Sequence, residues 1–248
     1  PLPDDAYAAI SYDLRLVTDE DGVAHPILGD RIIEVDENGQ ERVVWSTFDF
    51  FSPDTEESYW IVEVGDDDNL RDWTHGNGLT YDAASNDYII SLYGLGSLVR
   101  IDRETGDVVW HLSDWDGSFV STTGELLVQA PHSVELLDDN HLLVFNRNNS
   151  NPLDESDIDL DTVCSEAIEI DLSPESGTAT KTWSYGSDEC IFVVFYGEAQ
   201  RLENGNTLVI FSSSGQISEG TPEGETVWQV NTDVGGVFTF GERVDSLY

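Results

Sequence analysis

Along most of this chain apolar and polar residues alternate with a period of two, as expected of half-buried β-strands. Four segments share one form: an apolar strand, an acidic residue, a glycine turn, and a second strand that ends in Trp. They run from Ile32 through Asn38-Gly39 to Trp45, from Leu98 through Thr105-Gly106 to Trp110, from Ala167 through Gly177 to Trp183, and from Gln216 through Gly224 to Trp228. Each reads as an antiparallel hairpin whose turn residues tolerate positive φ. The recurring Trp is large and apolar, which suits a spacer packed between neighbouring sheets.

A second hairpin precedes three of these. Its copies are Gly78–Asp82 with Tyr88–Leu92, Ser133–Asn140 with Leu142–Phe145, and Ala199–Asn206 with Leu208–Phe211. Two hairpins in series make a four-stranded antiparallel sheet, the unit of a propeller blade. The Trp-to-Trp spacings are 65, 73 and 45 residues, and the shortest fits a bare blade of roughly 40–45 residues. The longer two leave insertions near 115–125 and 148–161, expected at the rim of a binding face. The predicted fold is therefore all-β, a β-propeller of four-stranded blades in a single domain over residues 1–248, with about four or more blades in this chain. No stretch carries a sustained helical pattern.

The first blade lacks an obvious first strand. Either residues 1–29 supply irregular strands that complete a small ring, or one or two N-terminal blades lie outside this sequence. The absence of Met favours the second expectation.

Composition narrows the function classes. Fifty Asp and Glu face ten Lys and Arg, a formal charge of −40. Such a surface repels nucleic acid, whose binding needs cations that displace phosphate counterions, and repels anionic membranes. No apolar run approaches the roughly 18 residues of a membrane span, so membrane insertion is not expected. The charge suits strong hydration and cation binding, and points to a marine or high-salt setting in which self-repulsion is screened.

The two cysteines, Cys164 and Cys190, flank one predicted strand pair. A bridge between them would close a loop of about 25 residues; two buried thiols are the alternative. No C-x-x-C zinc spacing is present. The acidic runs Asp66–Asp68 and Asp154–Asp161 read as solvated faces, with Asp157, Asp159 and Asp161 the only candidate Ca²⁺ ligands by spacing. No other metal and no cofactor is expected.

Several stretches resemble the arylsulfotransferase family. They are Asp72-Trp73-Thr74-His75-Gly76-Asn77 with Tyr81-Asp82 and Ile89–Leu92, the hairpin Leu98–Trp110, Gln129–Val134 with Leu142–Asn146, Gly197–Leu208, and the ending Arg243–Tyr248. The resemblance covers about Arg31 to Tyr248. It implies a propeller that is typically six-bladed and extracytoplasmic. It also implies sulfuryl transfer from an aryl sulfate to a phenol through a transiently sulfated His, with no redox cofactor.

On that basis His75 and His132, each at the start of an inner strand, are the candidate catalytic groups. A neutral imidazole can attack sulfur, and an imidazolium can protonate a leaving phenolate. Arg147 is the candidate sulfate-oxygen ligand, and Asn77, Asn146 and Gln200 are candidate neutral donors. His25, His111 and His141 read as structural or exposed. One departure matters: the fourth blade opens with Tyr196-Gly197-Glu198-Ala199-Gln200, where the resemblance puts the nucleophilic His. The alternative reading is a non-catalytic extracellular propeller that binds a ligand, a protein partner or Ca²⁺.

Overall fold

The computed structural model describes residues 2, 5–19, 21–53, 62–63, 70–114, 116–148, 163–186, 190–232, 238–239, 241 and 243. The two acidic runs, with Asp157, Asp159 and Asp161, lie outside these residues.

Three four-stranded antiparallel meanders follow a first, larger sheet. The first sheet joins β1 (Tyr7–Thr18), β2 (Ala24–Val35) and β3 (Glu41–Ser46) to two short strands, β4 (Val62–Glu63) and β5 (Arg71–Asp72). The second holds β6 (Gly76–Asp82), β7 (Asp87–Leu92), β8 (Ser97–Asp102) and β9 (Val108–Ser113). The third holds β11 (Pro131–Asp138), β12 (His141–Asn146), β13 (Glu166–Ser173) and β14 (Thr178–Tyr185), with β10 (Val120–Ser121) added parallel to β14. The fourth holds β15 (Glu198–Arg201), β16 (Thr207–Phe211), β17 (Gln216–Gly220) and β18 (Thr226–Asn231). These sheets are the predicted blades, and the fold is an all-β propeller architecture.

Two details differ from the expectation. The first sheet does have a regular first strand, because β1 pairs with β2 over all twelve of its residues. The insertion near 115–125 does not simply rim a face, since Val120 and Ser121 extend the outer edge of the third sheet beside Thr178 and Ala179.

Apolar cores between successive sheets hold the array together. Strands β7, β12 and β16 are buried from end to end or nearly so. The sequences of β7 and β12 are near-continuous apolar runs because both faces of each strand meet a neighbouring sheet; β16 packs one face, through Val209 and Phe211, on the third sheet. Along β7, Tyr88, Ile90 and Leu92 join Ile32 and Trp45 of the first sheet, whereas Ile89 joins Trp110, Leu142 and Ile168 on the third-sheet side. Phe145 and Ala167 in turn meet Val209 and Phe211 of the fourth sheet.

The recurring Trp follows the same logic. Trp45 and Trp110 are buried in cores shared with the following sheet, and Trp183 packs against the third core. Trp228 is 46% exposed, because among the described residues no further sheet follows it.

Candidate functional site

The inner strands enter their sheets alike. Just before β6, before β11 and before β15 stands a residue other than glycine with positive φ: His75 (46°), Ala130 (52°) and Tyr196 (61°). Such backbone costs about 1–3 kcal/mol and persists where surrounding contacts over-determine it. Here they do, and the contacts converge on the two predicted histidines.

His75 is clamped from both sides of its chain. Preceding it, β5 pairs in parallel with β2 at Ile27 and Leu28, and the Trp73 N–H donates to the Leu28 carbonyl at 2.9 Å. The buried Asp30 carboxylate accepts from the Thr74 hydroxyl at 2.6 Å and from the Gly76 N–H at 2.7 Å. On the far side the Tyr93 N–H donates to the His75 carbonyl at 3.1 Å. The imidazole itself is 46% exposed, and its Nδ1 lies 2.5 Å from Asp72 Oδ2. That bond pushes the His75 pKa above its ordinary value; Asp30 adds to the rise and Arg147 opposes it. Burial in turn raises the pKa of Asp30, against its bonds from Thr74 and Gly76.

His132 lies in the β-bulge of β11 between Pro131 and Ser133. Its carbonyl accepts from the Ser91 hydroxyl of the second sheet at 3.1 Å. Burial lowers its pKa to about 4; a hydrogen bond to the Gly197 backbone opposes this, and Arg147 and His75 reinforce it. Gly197 is needed there: a Cβ would stand 2.1 Å from Phe145 Cε1, at a φ of 121°. The Tyr196 ring meets His132 edge-on, with centroids 5.8 Å apart.

Arg147 connects the two histidines electrostatically, being felt at both. It is 6% exposed. Nε donates to the Val193 carbonyl at 2.8 Å and Nη1 to the Tyr93 hydroxyl at 2.7 Å. The guanidinium also lies over the Tyr93 ring at 4.9 Å and near Phe192 at 5.9 Å. Tyr93 touches His75 as well, with ring centroids 5.4 Å apart. The Cys164–Cys190 disulfide is present, at the foot of the segment that carries Val193.

The structure thus brings His75, His132 and Arg147 together. Asn77, at the bulge of β6 between Gly76 and Gly78, follows His75 by two positions. Asn146 is fully buried: its Oδ1 accepts from the Gln129 N–H at 2.8 Å, and its Nδ2 donates to the Leu127 carbonyl and to Asn148. That side chain holds the loop before β11. Gln200 faces elsewhere, lining a cavity of about 520 Å³ with Arg201, Leu202, Glu203, Asn204 and Arg243. His25 pairs with Asp19, His141 pairs with Glu169, and His111 is buried against Phe50 and Phe51. Among the described residues no cluster of three or more His, Cys, Asp or Glu could hold a metal.

The opposite shifts of the two imidazoles make a direct prediction. In a ¹H–¹³C NMR titration, His132 is expected to stay neutral down to about pH 4, and His75 to titrate above the ordinary histidine value. His75, with its raised folded pKa, stabilises the fold below pH 6.5, an effect lost as pH climbs through that pKa. His132 does the reverse: its contribution, present above 6.5, is lost as pH falls toward 4. Two titrations in the opposite order would contradict this geometry.

A protein-family model described as arylsulfotransferase (ASST) matches residues 1–237. No curated protein matches the chain. Among solved structures, virginiamycin B lyase from Staphylococcus aureus is similar at 14% identity and a TM-score of 0.44, over 94% of this chain and 58% of the lyase. A protein of unknown function from Bacteroides caccae is similar at 16% identity and a TM-score of 0.46, over 94% of this chain and 69% of that one. The periplasmic gluconolactonase of Pseudomonas aeruginosa is similar at 12% identity and a TM-score of 0.42, over 89% of this chain and 66% of the other. The chain therefore spans less than two thirds of the lyase's length.

Proposed function

The chain belongs to the arylsulfotransferase family, and from that premise we propose that it moves a sulfuryl group from an aryl sulfate to a phenol with His132 as carrier and His75 as proton donor and acceptor. One observation carries the assignment: around one arginine, His75 Nδ1 lies 2.5 Å from the Asp72 carboxylate, which favours its charged form, whereas burial favours the neutral form of His132.

A neutral imidazole keeps the lone pair an attack on sulfur requires. In a neutral imidazole one ring nitrogen carries the proton and the other keeps that lone pair. As the N–S bond forms, the aryl O–S bond breaks, and the phenolate takes the proton of His75. The result is a zwitterionic N-sulfoimidazolium at His132 and a neutral His75 held by Asp72. An incoming phenol then gives its proton to His75 while its oxygen attacks sulfur, which restores both histidines. The Arg147 charge favours the anionic sulfuryl group throughout. No redox group or metal enters these steps. The disulfide suits an oxidising, extracytoplasmic setting.

The test is phenol-dependent release of 4-nitrophenol from 4-nitrophenyl sulfate in high salt, with the sulfated acceptor identified by mass. Release is expected to rise with phenol concentration. A second reading, ligand binding without turnover, draws on the Tyr196-Gly197-Glu198 entry to the fourth sheet, which lacks the histidine the resemblance places there. Folded protein that binds phenols yet releases no nitrophenol would establish that reading and reject the first.

A further inference from the structure

The residue that stands in place of the missing histidine has a use of its own. We propose that Tyr196 is the stacking platform for the aromatic ring of the phenol or aryl sulfate, and so a specificity-determining residue of this site. The inference rests on the proposed function only for the identity of the ligand. The platform itself rests on geometry.

The segment leading to Tyr196 is fixed nearly residue by residue. Cys190 is tied to Cys164. The Ser165 N–H donates to the Ile191 carbonyl at 2.7 Å, and the Ser165 hydroxyl accepts from the Val193 N–H at 2.9 Å. The Val194 N–H donates to the Ser213 hydroxyl at 2.8 Å, and the Ser214 hydroxyl donates to the Phe192 carbonyl at 3.1 Å. Val193 is fully buried, and its carbonyl holds Arg147.

Out of this anchored backbone come two exposed aromatic side chains, Phe195 at 59% and Tyr196 at 44%. Two adjacent exposed rings on a tightly held segment offer a flat surface on which a planar ligand can lie. Tyr196 in particular adopts a φ of 61°, a conformation a side chain of its size rarely takes, and its ring abuts the imidazole of His132. Backbone and neighbour together fix the ring before any ligand arrives, so little ordering cost remains on binding. A planar ring laid on Tyr196 would lie beside the His132 imidazole.

The test separates ring binding from turnover. 4-Nitrophenol, the leaving phenol, is titrated into the full chain at high salt by calorimetry or by line-shape changes in NMR. The variants are Tyr196→Phe and Tyr196→Gly. Glycine accepts the positive φ without strain, so Tyr196→Gly removes the ring while preserving the backbone, and circular dichroism checks the fold. We expect Tyr196→Phe to bind within about twofold of the parent, and Tyr196→Gly to bind roughly three- to tenfold more weakly, the range of an aromatic pair. The same order is expected in KM for phenol, with a smaller change in kcat. Equal affinity of parent and Tyr196→Gly, or no binding by a parent that does turn over, would overturn the platform. Binding that follows the expected order in a protein that transfers no sulfuryl group would overturn the proposed reaction and leave the platform standing.

Discussion

Replacing His132 with Ala is expected to eliminate sulfuryl transfer, by about 10⁴-fold or more, as loss of a covalent nucleophile does elsewhere. Replacing His75 with Gln is expected to cost less, about 10²–10⁴-fold, because it removes proton transfer alone. The two losses differ in kind as well as size. With 4-nitrophenyl sulfate the leaving phenolate is stable and needs little protonation, so His75→Gln should be mild. With phenyl sulfate the leaving group is more basic, and the same variant should fall much further. His132→Ala should be equally inactive with both. With phenyl sulfate the parent should show a bell-shaped pH profile for kcat/KM. Its acid limb reports deprotonation of His132, near pH 4. Its alkaline limb reports loss of the His75 proton, above 6.5 because the Asp72 carboxylate stabilises the imidazolium. Asp72→Asn should move only the alkaline limb, toward acid. A profile in which Asp72→Asn moves the acid limb instead would exchange the roles of the two histidines, and an active His132→Ala would remove His132 as the carrier.

The sequence carried the sheets better than the site. Strands β6 to β9 and β11 to β18 follow alternation, glycine turns and the terminal Trp, all local signals. The disulfide could be anticipated because Cys164 and Cys190 flank one hairpin. β1 was harder to read: Tyr7, Tyr12, Leu14 and Leu16 are exposed along it, so its apolar residues mark no single buried face. β5 consists of two residues that pair in parallel with a strand more than forty positions away, and no local pattern encodes such a contact. The histidines and Arg147 were visible as rare residue types at strand starts and ends in an acid-rich chain. Their partners were not. Asp72 lies only three residues before His75 and could have been read as its hydrogen-bond acceptor. Asp30 and Tyr93 could not, because they reach the site through strand pairing, β2 with β5 and β6 with β7, between positions distant in the chain. Gln200 and Asn146 illustrate the converse limit: the amide type suits a sulfate donor, but packing assigns one to a different cavity and the other to a loop.

Lowering the salt is expected to destabilise this protein strongly, by about 10–20 °C in Tm between 1 M and 0.05 M KCl. Of its ten Lys and Arg, at least eight sit in ion pairs among the described residues: Arg15, Arg31, Arg42, Arg100, Arg103, Lys181, Arg201 and Arg243. Several of these pairs stitch sheet to sheet or turn to strand, as Arg103 does with Glu34 and Arg100 with Asp82 and Asp87. The cations are thus largely matched locally, while fifty acids against ten cations leave a large net negative charge. Two carboxylates about 10 Å apart in water repel by roughly 0.4 kcal/mol, so a dozen such neighbours amount to about 5 kcal/mol. At low salt the Debye length exceeds that spacing, and at 1 M it shrinks to about 3 Å. For a chain of this length each kcal/mol moves Tm by about 2–4 °C. Acid should not substitute for salt: Asp13, Glu34 and Asp82, held below their ordinary values by their hydrogen-bond and charge partners, lose their contribution as pH falls, which offsets the opposite effect of Asp30, Asp114 and Glu135, raised by burial. Thermal unfolding followed by circular dichroism in KCl and in NaCl, without sulfate or phosphate, measures the effect. A Tm that stays within about 3 °C across that range would mean that repulsion among the surface acids is not what limits stability. Millimolar CaCl₂ that does the work of molar KCl would replace general screening with specific divalent binding.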